Sequence, residues 1–153
     1  MVASMITRRD LFVAVILSFI AGAGLSLAAT TGKPIMRSSV FNWADLKVVP
    51  TKVGEKRSVF DNPTLALANL ECHISTLNPG EFAHPPHRHP DEELIILNEG
   101  TLAAFQVDHT NIVNAGGIIF EASNELHNMQ NVGTTPATYY VFRIMPRDLL
   151  PAK

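Results

Sequence analysis

One cysteine and one tryptophan are all that the 153 residues hold of either type. The lone thiol, Cys72, excludes an internal disulfide framework, so burial and hydrogen bonding must hold the fold. Cys72 alternates with Leu70 and Ile74, the two-residue period of a strand, and reads as a buried strand thiol. An excess of one charge is missing too: 12 basic residues face 14 acidic ones, and like charges form no block. Nothing here attracts nucleic acid or an anionic membrane surface. Internal repeats and low-complexity tracts are absent, and no window after residue 30 has a helical period. The length suits one domain.

Charge vanishes altogether from Leu11 to Gly32. The apolar part runs from Leu11 to about Leu27, follows the pair Arg8-Arg9, and closes on the small-x-small pattern Ser26-Leu27-Ala28. Thr7-Arg8-Arg9-Asp10-Leu11-Phe12 resembles a bacterial twin-arginine export signal, with Leu and Phe in the reverse of the usual order. The expectation is a removable apolar signal helix over residues 1–28, cut after Ala28 or Ala29, and a periplasmic or secreted product without stable membrane association. The competing reading is a retained anchor through residues 11–28, because an uncharged run of this length can span a bilayer. Ala, Gly and Ser in its second half, and the closing cleavage pattern, favour removal.

Residues 29–62 read as an N-terminal arm with short strands at 43–49 and 56–60, residues 63–147 as a barrel, and residues 148–153 as a tail. From residue 64, apolar runs recur between Asn, Gly, Pro and Asp turns: Leu65–Leu77, Glu93–Leu97, Leu102–Val107, Gly117–Phe120, His127–Val132 and Ala137–Met145. Such spacing predicts an all-β antiparallel sandwich or barrel. Asn98-Glu99-Gly100 carries a hairpin signal, and Asp108-His109-Thr110-Asn111 reads as a turn.

The segment His84-Pro85-Pro86-His87-Arg88-His89-Pro90-Asp91-Glu92-Glu93 concentrates ligand-type side chains. His87, His89 and Glu93 share strand parity, so an extended backbone points all three one way, while Glu92 points away. Two imidazoles and a carboxylate suit divalent Fe, Mn, Ni, Cu or Zn. The best further ligand is His127, which opens a later strand after a polar turn. His84 reads as a solvated loop histidine, and His73 as a surface or hydrogen-bonded one. Tyr139 and Arg143 share one strand face and Tyr140 and Phe142 the other, and parity does not say which lines the interior.

These residues resemble the small single-domain cupins. Gly80, His87-Arg88-His89, Glu93 and Gly100 match the first cupin motif, with one extra residue between Gly80 and His87. Gly116, Ala122, Asn124, His127 and Asn131 fall in the places of the second, where Ala122 stands for a proline and Asn124 for a glycine. Asn enters the left-handed region more readily than other non-glycine residues. The resemblance covers residues 64–145. It implies a jelly-roll barrel (a double-stranded β-helix) holding a divalent transition metal by His87, His89, Glu93 and His127.

A metal with open positions implies an enzyme of oxygenase or Lewis-acid type on a small organic substrate, with Glu93 doubling as a base if it dissociates. The alternative is a cupin that binds a metal or small ligand without chemistry. A small molecule is the expected partner, and a homodimer is compatible with this reading.

Arg8-Arg9→Lys-Lys is expected to leave an unprocessed precursor in the cytoplasm, because a twin-arginine route discriminates against Lys pairs, whereas a general secretory signal or an anchor needs only positive charge. Fractionation and N-terminal sequencing check this, and normal export of the Lys pair rejects the twin-arginine reading.

Overall fold

The computed structural model describes residues 32–147. The expected signal segment and the tail lie outside the described residues. Nine strands follow in chain order: β1 (Val48–Pro50), β2 (Gly54–Asn62), β3 (Leu67–Leu77), β4 (Glu92–Glu99), β5 (Thr101–Gln106), β6 (His109–Asn114), β7 (Ile118–Glu121), β8 (His127–Asn131) and β9 (Ala137–Pro146). They form a six-stranded antiparallel sheet, ordered β1-β2-β3-β9-β4-β7, and a three-stranded one, ordered β6-β5-β8. The all-β expectation holds among the described residues. None of their helices is long and apolar enough to cross a membrane.

Both sheets contribute to one core. Leu77, Ile95, Leu97, Ile119, Ala137, Tyr139 and Val141 come from the larger sheet, and Leu102, Ala104 and Met129 from the smaller. Tyr139 and Val141 therefore fix the inner face of β9, and Arg143 shares it. Tyr140 and Phe142 face a separate apolar cleft with Trp43, Phe60 and Cys72. Cys72 is buried as expected, and burial pushes its thiol up to about 11, so it stays protonated.

Inward side chains change character along the barrel. Glu71, Arg143, Glu93 and Glu121 stand directly opposite one another across β3, β9, β4 and β7. The next inward row is His73, Val141, Ile95 and Ile119, and beyond it lies the apolar core. The barrel thus has a charged end and an oily end.

Three local expectations change. Trp43–Asp45 is a single 3-10 turn rather than the start of a strand, and the Arg57 guanidinium lies 4.5 Å from the Trp43 ring centroid. The segment read as a turn at 108–111 opens β6: the turn itself is Val107-Asp108, with Gln106 paired to His109. Apolar periodicity could not show β6, because most of its side chains are exposed. Gly100 takes the expected positive φ of 90°, but closes no hairpin. It carries the chain from β4 in one sheet to β5 in the other, and a Cβ there would sit 2.7 Å from Ala137 Cα.

Asn131 locks the oily end. Fully buried, it donates through Nδ2 to Leu77 O at 2.8 Å and Thr135 O at 2.9 Å, and its Oδ1 accepts from Gly133 N at 3.0 Å. Asn131→Leu orphans these groups and is expected to lower stability by about 2–4 kcal/mol in urea unfolding.

Candidate metal centre

The two motif segments meet through their backbones. His87 N donates to His127 O and His127 N donates to His87 O, both at 3.2 Å, an isolated antiparallel bridge between two ligand candidates. The second loop is clasped onto the first: Asn124 N donates to His89 O at 2.8 Å, Arg88 to Asn124 O at 2.8 Å, and Ser123 Oγ to Pro90 O at 2.6 Å. Asn124 has the expected left-handed backbone, with φ 61°.

This clasp gathers three imidazoles. One nitrogen from each of His87, His89 and His127 lies within 4.8 Å of the others. Ring orientation is set from behind. Nδ1 of His89 donates to Asp91 O at 2.9 Å, and Nδ1 of His127 to Glu125 O at 2.9 Å. These bonds assign the proton to Nδ1 and leave a lone pair on Nε2. Nε2 of His89, Nε2 of His127 and Nδ1 of His87 are buried without a hydrogen-bond partner. Burying such atoms unpaired is costly, and a cation among them removes the cost. Burial and the neighbouring imidazoles of His84, His127 and His89 push His87 down to about 4, so its ring is neutral and able to coordinate. The donor set fits a divalent transition ion.

Glu93 stands beside the three rings rather than among them. It is buried and inward, and its Oε2 lies 3.4 Å from His89 Nε2 and 3.9 Å from Arg143 Nε. Glu92, on the opposite parity, is only half-buried.

Several residues here were not singled out from sequence. Asp91 is buried and ion-paired to Arg143, whose Nη2 donates to Oδ1 at 2.9 Å. Burial opposes ionisation of Asp91, but the Arg143 hydrogen bond prevails and holds its carboxyl below the usual range. Glu121 is only 2% exposed, opposes Glu93 and accepts from Gln106 Nε2 at 2.8 Å. Burial pushes its carboxyl up. The signal available for Glu121 was its place beside Ala122 in the second motif, but only the sheet register shows that it faces inward. His84 is half-buried rather than solvated, its ring centroid 4.1 Å from that of His87. His73 is hydrogen-bonded, as expected, and also lines a cleft of about 290 Å³ with His84, His87, Glu93, Tyr139 and Arg143.

Residues 73–143 match the family model of the cupin domain. The fold is a cupin barrel. An RmlC-like cupin from Shewanella frigidimarina superposes with a TM-score of 0.59 at 13% identity, covering 74% of this chain and 97% of that one. KdgF from Halomonas sp. gives 0.60 at 13% identity over 74% of this chain and 100% of that one. A variant of oxalate decarboxylase from B. subtilis gives 0.60 at 19% identity over 77% of this chain but 32% of that one. No curated protein matches. At these identities the likeness concerns the cupin fold alone.

Glu93→Gln is expected to lower metal content and Glu92→Gln to leave it unchanged, as read by elemental analysis. Equal loss in both variants would show that the inward parity of Glu93 is irrelevant to the metal.

Proposed function

We propose that this protein is a metal-dependent enzyme acting on a small organic substrate. His87, His89 and His127 hold the metal, and Glu93 completes the ligand set by a small side-chain movement. The three orphaned imidazole nitrogens beside an open cleft carry this reading. Divalent Fe, Mn, Zn, Ni and Cu all fit such donors. Bound there, the ion would supply Lewis-acid polarisation of a substrate oxygen or oxygenase-type chemistry at positions the protein leaves open.

The chain's own residues prepare the site. Carbonyls of Asp91 and Glu125 fix two ring tautomers, and Arg143 neutralises Asp91 and approaches Glu93. Tyr139 stays a neutral phenol, since burial pushes it up to about 12. A hydrogen bond with Ser75 on β3 opposes this shift without overcoming it. A cleft with these groups next to the metal favours catalysis over simple storage. The proposal includes a periplasmic or secreted location, reached by the twin-arginine-like segment, where the substrate is a small molecule.

His87→Ala, His89→Ala and His127→Ala are each expected to weaken metal binding roughly ten-fold or more while the barrel still folds. The check is elemental analysis and EPR on protein purified without a nickel column, with circular dichroism for the fold. Full occupancy in all three variants would reject the site.

A further inference from the structure

We infer that His73 in the cleft wall and Glu71 behind it form a proton-transfer dyad, acting on a small carbonyl compound that carries a carboxylate; this rests on the metal-enzyme reading above. Glu71 and His73 are two apart on β3 and share its inner face. His73 Nδ1 donates to Glu71 Oε1 at 2.7 Å. That bond fixes the proton on Nδ1 and leaves Nε2 as the basic edge. The ring lines the cleft shared with His84, His87 and Glu93, yet lies outside the three-imidazole cluster, so it is free to move protons.

The surroundings separate the two roles. Ser58 and Val141 flank His73 on the neighbouring strands, and neither competes for its charge. Glu71 is paired with Arg143 on β9 and with Asp61 on β2, and Lys56 Nζ lies 3.9 Å from its Oε1. Its Oε2 is buried and unpartnered, leaving it able to stabilise an imidazolium. Lys56, 41% exposed and 3.9 Å from Glu71, also lines the cleft, where its ammonium can meet a substrate carboxylate. His73 is thus the catalytic residue and Glu71 its positioning residue. Glu93 is left to serve as a ligand.

The step needs no co-reactant. Nε2 takes a proton from the carbon beside the substrate carbonyl, the C–H electron pair forms a C=C bond, and the carbonyl π pair moves to oxygen. The imidazolium returns its proton to that carbon, giving hydrogen exchange, or to the enolate oxygen, giving the enol tautomer.

Two measurements on the full chain test the dyad. Long-range 1H–15N NMR of the zinc-loaded protein is expected to show His73 as the Nδ1–H tautomer, and Glu71→Ala to shift it towards Nε2–H. An Nε2–H tautomer in the wild type would overturn the positioning role. The second probe is deuterium exchange of the pyruvate methyl group in D2O with manganese-loaded protein. Exchange above the buffer rate is expected, slowed by roughly 10²-fold in His73→Gln at unchanged metal content. Wild-type-like exchange in His73→Gln overturns the dyad while leaving the metal reading intact, and no exchange by the wild type overturns it as well. Undiminished exchange in His87→Ala/His127→Ala would instead overturn the metal reading.

Discussion

The reciprocal backbone bridge between His87 and His127 is the contact on which the site depends. It pins a proline-rich loop to a strand of the smaller sheet. Each residue uses its own N–H and C=O to hold the other, so the two backbone positions are set without side-chain bonds. The clasp from Asn124, Arg88 and Ser123 then fixes His89 against the same strand end. Three imidazoles converge because these backbone bonds hold the two segments together.

That convergence places polar atoms where a barrel ordinarily buries apolar ones. The oily end, built on Leu77, Ile95, Leu97 and Leu102, supplies the burial that holds the two sheets together. The charged end is tolerated because Arg143 joins Asp91 and stands between Glu71 and Glu93. Arg143, with Lys56 at the cleft edge, faces Asp91, Glu71 and Glu93, and a divalent ion would add to this positive charge. Stability and site chemistry are thus divided along one barrel axis.

His87, His89 and His127 were legible in the sequence because imidazoles are crowded into one short segment and recur in the second motif, although His87 and His89 lie in the loop before β4 rather than on a strand. The left-handed Asn124 and the positive φ of Gly100 were legible for another reason: few residues enter that region. Asp91 was not, since a carboxylate at a strand start is usually solvated, and only the approach of Arg143 from β9 makes it a buried partner. Glu121 and His73 were not either. Each lies on a strand whose neighbour is distant in sequence, and register across that pair decides which face is inside.

The sequence by itself determined an all-β chain with two ligand-bearing segments, through local alternation and turn chemistry that need no partner to be read. Tertiary structure alone decided which face of β9 enters the barrel, that Gly100 turns between sheets instead of closing a hairpin, and that Glu71, Arg143, Glu93 and Glu121 form one row. The physical reason is the same in each case. A strand exposes two equivalent faces and two unpaired edges, and only the strands that come to lie beside it choose between them.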